Sequence, residues 1–449
     1  MHVACQVNLH TIQNQHTSNT AASYFPSMLG NDCKFFDLDL FAINAGAGNS
    51  LFSLYDFEQF AAAGSNEQTI LNQKLEQARK RNTLFVGTDI HLLNTAIRVP
   101  LSNNTVVSGG FGVRQRNEFQ FSVDKNMLSL ILNGNKRFAG QPINLLPSIN
   151  FLSLLDYHFN GAFEYTSSRL GGRKLKSAIT LHRLTGLANF HSRESQLEFY
   201  TAPDGRYIEV DAQLEVNTSS IANSSDNSSN VVSDLPVRDL LAKGCGKGWG
   251  IDLGGSLELT ENIELHAALI DLGFIRFNEQ STTYTGDKLL RFEGVEVEGI
   301  YNPTISTDLD GDTLADIFKL TETNGEYTIG MPTKLLLCGQ WHSPVIEKKR
   351  VPYSRHTVSA CLVQGFRNYL SSSPIPALNV GYTISAGNIL NVGINTSIGG
   401  LYGGISGGGF ISLRGSVVKL ALGSNNLAPL LFSRTGRFTD VYFGMSVLY

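Results

Sequence analysis

Hydrophobic and polar residues alternate with a period of two along much of the chain, most clearly between Trp249 and Phe277. From Trp249 to Leu259, the odd positions are mostly large and apolar, while the even positions are Gly, Asp, Ser and Glu. The alternation restarts at Ile263 after a short polar stretch, which predicts two strands joined by a tight hairpin. Its phase changes at 270–272, where we expect a β-bulge. Each strand exceeds the roughly 9 to 11 residues that cross a membrane.

Similar strands are predicted from Phe36 to the C-terminus, and one polar stretch among them is predicted to be a turn. Thr105–Val113 and Glu118–Val123 are predicted as two strands that flank the turn 114–117. Gly and polar residues that separate alternating runs are typical of such turns.

The direction of the strands predicts which connections share one end of a barrel. Bacterial barrels have short periplasmic turns and longer external loops. Counting back from a periplasmic Tyr449 places the turns 203–205 and 261–262 in the periplasm and the Ser/Asn-rich loop 217–246 outside. This placement holds only if residues 280–325 cross the membrane either not at all or twice. We interpret them as one long external loop.

The N-terminal part has a different character. Residues 1–33 show no periodicity and are predicted to lie in the periplasm or in the lumen. A short helix is predicted at about 66–80, where Leu71, Leu75 and Ala78 form an apolar stripe. It is too short to span a membrane, so we expect it to plug or cap one end of the barrel.

These patterns predict an all-β fold, a transmembrane antiparallel up-and-down β-barrel of about 14 to 16 strands formed by residues 34–449. Composition agrees, because charged residues make up only 16 % of the chain and glycine numbers 44. The net charge of −4 argues against a nucleic-acid partner. The first residues lack the apolar core of a signal peptide. We therefore expect the numbering to begin near the mature chain, the alternative being a protein that is never exported.

Polar residues on the alternating strands are candidates for the lining of the lumen, because a charge facing lipid is costly. The candidates are Glu209, Asp211, Glu215, Asp252, Glu258, Glu264, His266, Asn391 and Asn395. None is expected to be catalytic, since no Ser, His and acidic residues form a recognisable set.

Two local motifs suggest further chemistry. Asp308, Asp310, Asp312 and Asp316 occupy positions 1, 3, 5 and 9 of a calcium loop, but position 12 is Lys319 instead of glutamate. The alternative is a short helix capped by Asp312. No other cofactor is predicted.

The chain has five cysteines, and two of them fall nearly opposite each other if 344–352 is a turn. Cys338 and Cys361 then either form a cross-strand disulfide, as an oxidising periplasm permits, or are two small apolar wall residues.

Three short stretches resemble a known family: Leu181–Asn189, Trp249–Gly254 and Ala267–Ile275. They are similar to a Bacteroidota-type family of outer-membrane β-barrels of unknown function. The resemblance implies a barrel broadly similar to fatty-acid-channel barrels and to the shuttle barrel of the type IX secretion system. It implies no catalytic residues.

The resulting hypothesis is a non-enzymatic barrel of the bacterial outer membrane that transports small or amphipathic solutes, with the helix at 66–80 as a candidate gate. The alternative is a docking subunit in a larger envelope complex, such as a type IX secretion or gliding assembly. Outer-membrane lipid and lipopolysaccharide are the expected partners, with other envelope proteins in the second case.

Overall fold

A computed structural model describes residues 19–29, 35–53, 55–56, 59, 67–145, 147–220, 244–293, 320–346, 353–387, 389–400, 405–427 and 437–448. The first ten strands are β1 (Phe36–Asn49), β2 (Arg81–Ser102), β3 (Thr105–Asp124), β4 (Ile143–Leu145), β5 (Ser148–Ser167), β6 (Arg173–Thr201), β7 (Tyr207–Ser220), β8 (Gly246–Thr260), β9 (Ile263–Phe277) and β10 (Ser281–Glu293). The remaining strands are β11 (Thr321–Asn324), β12 (Tyr327–Gly330), β13 (Lys334–His342), β14 (Val345–Ile346), β15 (Tyr353–Ser354), β16 (His356–Gly365), β17 (Ala377–Ala386), β18 (Leu390–Gly399), β19 (Ile405–Arg414), β20 (Val418–Ser424) and β21 (Phe438–Leu448).

The helices are few and short. The α-helices are α1 (Glu67–Gln77) and α2 (Lys125–Asn133), and 3-10 turns occur at Asn19–Ser23, Pro26–Met28, Lys136–Phe138 and Ser168–Leu170. None of the described helices is long and apolar enough to cross a membrane.

Fourteen strands form a closed ring in which every neighbour is antiparallel. The order is β1, β2, β3, β5, β6, β8, β9, β13, β16, β17, β18, β19, β20 and β21. The ring closes where β21 pairs with β1, from Asp37 opposite Leu448 to Gly48 opposite Phe438. The predicted all-β barrel is confirmed, with a strand count at the lower end of the expected range.

The two ends of the ring differ in the length of their connections. Short turns at 103–104, 168–172, 261–262 and 415–417, together with the connection from β17 to β18, lie at one end, which we call the short-turn end. The opposite, long-loop end carries the connection from β1 to β2 with α1 and the connection from β3 to β5 with α2.

One predicted turn lies at the opposite end of the barrel from its expected position. β6 pairs with β8 only between Leu175 and Gly186, and from Ala188 onward it leaves the ring and pairs with β7. The turn 203–205 therefore projects from the long-loop end, and it was wrong to place it with the turn 261–262. The alternation of β7 is the same whether its apolar face meets lipid or protein. Here Ile208 packs against Phe138, Ile143 and Phe199.

The excursion at 280–325 continues this extension of the sheet. β10 pairs with β7, and β11 pairs with β10, so neither belongs to the ring. β12 pairs with the last residues of β9. Residues 294–319 lie outside the described residues.

A second correction concerns the stretch 114–117, which was predicted as a turn. It lies in the middle of β3, a single strand of 20 residues. Arg114, Arg116, Glu118 and Gln120 are buried at every second position and face the lumen, so they continue the alternation with polar side chains.

Helix α1 lies within the predicted range of 66–80, and Leu71, Leu75 and Ala78 are buried as its apolar stripe predicts. Lys74 Nζ lies 2.9 Å from Asp56 Oδ1. Burial raises the pKa of Asp56, but hydrogen bonds from Lys74 and Ser53 outweigh this effect and the pKa lies below its ordinary value. The helix contacts α2 at the long-loop end.

Cys338 and Cys361 form a disulfide between β13 and β16. The two residues are direct partners in the ladder, and their Cα atoms are 4.1 Å apart, as expected for facing residues of an antiparallel pair. Both side chains are buried on the lumen side. Of the two alternatives that the sequence left open, the structure contains the disulfide.

We expect the double variant Cys338→Ser/Cys361→Ser to lose about 2 to 4 kcal/mol of unfolding free energy, because the disulfide restricts the unfolded chain. Guanidinium unfolding in lipid vesicles measures this change. Reductant should destabilise the wild type and leave the double variant unaffected. Cys245→Ser, which changes a buried cysteine outside the disulfide, is the control. A wild type with the same stability in oxidant and reductant would contradict the expectation.

Candidate functional site in the barrel lumen

Six of the predicted lumen residues lie at inward positions of ring strands. Asp252, His266, Asn391 and Asn395 are buried, whereas Glu258 and Glu264 are half-buried. Their sequence neighbours Leu253, Leu265, Val392 and Ile394 are exposed on the outer wall.

The other predicted site residues do not line the ring. Glu209, Asp211 and Glu215 lie on β7, which is not a ring strand, so their assignment to the barrel lumen was wrong. Asp211 is exposed, and Glu209 pairs with Arg291 across the sheet extension. The calcium-loop residues Asp308, Asp310, Asp312 and Asp316 lie outside the described residues, and calcium binding there stays a prediction.

The lumen is filled by residues 19–29, which we call the plug segment. Phe25 and Leu29 are fully buried, and the Phe25 ring lies 5.8 Å from the His266 ring. Lys176 Nζ donates a hydrogen bond of 2.9 Å to the Leu29 carbonyl. The segment approaches the wall closely at Gly254, where a Cβ would lie 3.0 Å from Pro26 Cδ. The predicted helix therefore lies at the rim, and the plug is a different segment.

A layer of charged side chains lies next to the plug segment and spans part of the lumen, from β3 to β9, and its position depends on a bulge in β9. The pairing with β8 slips between Ile251 and Leu253, which confirms the predicted bulge. Asp271 has a φ of 58°, a left-handed conformation that is uncommon except for glycine, asparagine and aspartate. The bulge buries Ile270 and Asp271 although they are consecutive, so a carboxylate is added to the interior.

Arg116 connects this bulge with β3. Its guanidinium donates to both carboxylate oxygens of Asp271, at 2.5 and 3.1 Å, and to Glu118 at 2.9 Å. Lys334 Nζ lies 3.7 Å from Asp271. Two cations thus face the inserted carboxylate.

A second chain of contacts runs through β5, β6 and β8. Arg114 Nε donates to Asp156 at 2.7 Å, and Asp156 contacts His182 Nδ1 at 2.9 Å. The other ring nitrogen, Nε2, lies 2.9 Å from Asp252. Asp252 also accepts a hydrogen bond of 2.6 Å from the amide of Asp271, which joins both chains of contacts into one layer.

The connection 366–376 enters the lumen from the long-loop end and is held by the same layer. Glu118 accepts a hydrogen bond from the Ser371 amide, and Lys334 donates to the Ser371 hydroxyl at 2.9 Å. Gln120 accepts a bond from the amide of Leu370, which is fully buried. Sequence reasoning missed Arg114, Arg116, Glu118 and Gln120. Their spacing at every second position was the signal in the sequence that they lie on one face of a strand.

Two of the cavities among the described residues border the plug segment, the charged layer or the inserted connection 366–376. One, of about 40 Å³, lies between Tyr24 of the plug segment and the charged layer. The other, of about 560 Å³, opens at the long-loop end, and we call it the vestibule. Its lining includes His191, Arg193, Tyr327, Arg367 and Tyr369, together with Glu215, which is ion-paired with Arg193 at 3.4 Å.

The fold is a closed antiparallel β-barrel of the type that crosses membranes, and segments of its own chain lie in its lumen. The chain belongs to the family described as a family of unknown function, DUF5723, whose sequence model matches residues 26–425. No curated protein sequence matches the chain at a significant level. The predicted resemblance to a barrel family of unknown function is confirmed, while the implied bacterial group stays a prediction.

Several solved outer-membrane barrels are similar in architecture. The toluene transporter TodX of Pseudomonas putida is 10 % identical, with 96 % of this chain and 92 % of that chain covered and a TM-score of 0.43. The monoaromatic hydrocarbon channel CymD is 9 % identical, covers 96 % and 92 %, and has a TM-score of 0.41. The translocator domain of the autotransporter NalP from Neisseria meningitidis is 8 % identical, covers 97 % and 99 %, and has a TM-score of 0.34. Likenesses this distant do not identify a solute.

We expect Arg116→Gln to lower the unfolding free energy by about 3 to 5 kcal/mol, because it leaves Asp271 and Glu118 buried without their guanidinium partner. Arg276→Gln is the matched control, since Arg276 and its partner Glu326 are 56 % and 53 % exposed. An exposed pair contributes about 0 to 1 kcal/mol. Denaturant unfolding in vesicles measures both variants, and equal losses would contradict the structural role of the charged layer.

Proposed function

We propose that this protein is a gated channel of the bacterial outer membrane for small or amphipathic solutes. The observation that carries the proposal is that the plug segment belongs to none of the ring strands. The ladder closes between β21 and β1 without residues 19–29. The segment can therefore leave the lumen without breaking a backbone hydrogen bond of the barrel ladder.

The contacts of the plug segment support a reversible closure. Phe25 and Leu29 contribute apolar contacts, and the Lys176 ammonium contributes a hydrogen bond to a backbone carbonyl. A solute with one apolar part and one polar part would replace both kinds of contact as the segment moves aside. This favours amphipathic solutes over ions or sugars.

The orientation follows from the lengths of the connections. Short turns are periplasmic in bacterial barrels, so the short-turn end faces the periplasm and the vestibule faces outward. Exposed side chains such as Leu253, Leu265 and Ile394 on the outer wall suit lipid and lipopolysaccharide as neighbours.

The vestibule is then the first site that an entering solute meets. The Arg367 guanidinium lies 4.8 Å from the centre of the Tyr369 ring, and the His191 ring lies 5.3 Å from the same ring. Aromatic faces beside a guanidinium bind flat apolar groups that carry negative charge. We infer no catalytic step, and transport needs none.

A reversible lock on the plug segment tests the proposal. An ideal Cβ at position 254 would lie 3.2 Å from Pro26 Cβ, a few tenths of an ångström below the usual separation in a disulfide, and replacing Pro26 removes the Cδ atom that lies closest. The variant Pro26→Cys/Gly254→Cys therefore brings two thiols of plug and wall within bonding reach. Efflux of carboxyfluorescein, a small aromatic anion, from proteoliposomes is the measurement. We expect oxidation to stop efflux through this variant and reductant to restore it. The wild type, with and without reductant, is the control.

Deletion of residues 19–29 is expected to have the opposite effect. If the open state is a minor population of about 0.1 to 10 %, removal of the plug raises efflux about tenfold or more. A deletion variant that folds into the same barrel but remains as tight as the wild type would refute the proposal. A stable protein partner that copurifies from native membranes would instead favour the docking-subunit alternative.

A further inference from the structure

Three side chains of metal-binding type meet at the middle of the lumen wall. Asp156 and His158 lie two residues apart on β5, so both face inward, and His182 is the direct partner of His158 on β6. One potential ligand atom from each lies within 4.8 Å of the other two. All three residues are buried, with exposures of 0, 2 and 4 %.

His158 has no role in the hydrogen bonding described so far. Both of its ring nitrogens are buried, and within the described part of the chain neither has a hydrogen-bond partner. A buried nitrogen without a hydrogen-bond partner destabilises the folded state, so this imidazole lowers the stability of the wall. The ring occupies space that Gly112 provides, because a Cβ at position 112 would collide with Nε2.

His182 already has the environment of a metal-bound histidine. Its Nε2 atom lies 2.9 Å from Asp252 Oδ2, and its Nδ1 atom points at Asp156. Histidines that bind metals commonly donate the remote N–H to a carboxylate, which orients the ring and raises its basicity. Asp252 supplies that carboxylate here.

The charge of the layer favours a bound cation. Arg114, Arg116 and Lys334 face the carboxylates Asp89, Glu118, Asp156 and Asp271, and Asp252 lies against His182. These five carboxylates outnumber the three arginine and lysine side chains by two, and His182 lies between two of the carboxylates. A divalent ion that replaced the proton between His182 Nδ1 and Asp156 would add one positive charge to this acidic layer.

We propose that Asp156, His158 and His182 bind a divalent transition metal, with Zn²⁺ as the best match to two imidazoles and one carboxylate. His182 Nδ1 would exchange its contact with Asp156 for the metal and keep Asp252 on its other nitrogen. Arg114 would keep its hydrogen bond to the second oxygen of Asp156. This site is independent of the proposed channel function.

Titration of the full-length protein, folded in detergent and free of any histidine tag, with Zn²⁺ alone tests the site by calorimetry. We expect one saturable ion per barrel and at least about tenfold weaker binding by His158→Ala. His266→Ala is the matched control and should bind Zn²⁺ like the wild type. His266 is also buried, and neither of its ring nitrogens has a hydrogen-bond partner among the described residues. The potential metal ligand beside it is Glu264, at 3.5 Å.

Absence of saturable binding by the wild type, or equal affinity of the wild type and His158→Ala, would overturn the proposal. If His158→Ala does not fold, X-ray absorption of the Zn²⁺-loaded wild type decides. We expect the spectrum to show two imidazole nitrogens at about 2.0 to 2.1 Å from the zinc ion. A spectrum without imidazole scattering would refute the site.

Discussion

The closed hydrogen-bond ladder is the constraint on which the rest of this structure depends. In lipid, an unpaired backbone N–H or C=O has no water to bind, so a sheet that crosses a membrane has to close on itself. Here closure is achieved by the pairing of β21 with β1. Once the ring is closed, its circumference is set, and whatever fills the lumen has to fit that space.

The filling of the lumen explains the density of charge inside it. Inward polar side chains are shielded from bulk water, so each needs a partner in the protein. The bulge at Asp271 places a carboxylate between Arg116 and Lys334, and its amide reaches Asp252 on the next strand. One local irregularity in β9 therefore joins four wall strands and the inserted connection 366–376 into a single network.

The two kinds of filling differ in how they are attached. The charged layer consists of wall side chains and cannot leave without unfolding the barrel. The plug segment lies against it, with Tyr24 beside the small cavity and Phe25 against His266, but it contributes nothing to the ladder. In the proposed gate, the charged layer would keep its shape when the plug segment moves, because the layer is attached to the wall.

The amino-acid sequence predicts what depends on neighbours along the chain. Its period-two pattern identified the strands, the β8–β9 hairpin, the bulge at 270–272 and the inward position of Asp252 and His266. The spacing around a turn also brought Cys338 and Cys361 within reach of each other. These are local properties of an extended chain, so no knowledge of distant segments was needed.

Only the tertiary structure decides which strands meet and what lies between them. The alternation of β7 fits a lipid-facing wall as well as a sheet extension packed on Phe138 and Phe199, and the pairing partner of β6 settles the matter. The polar residues 114–117 have the composition of a turn. They lie in a strand because side chains of other strands supply their hydrogen-bond and ion-pair partners. His158 and His182 are 24 positions apart, and they face each other because of the register of β5 and β6. Register and closure are set by interactions across the whole barrel, which a periodic pattern does not encode.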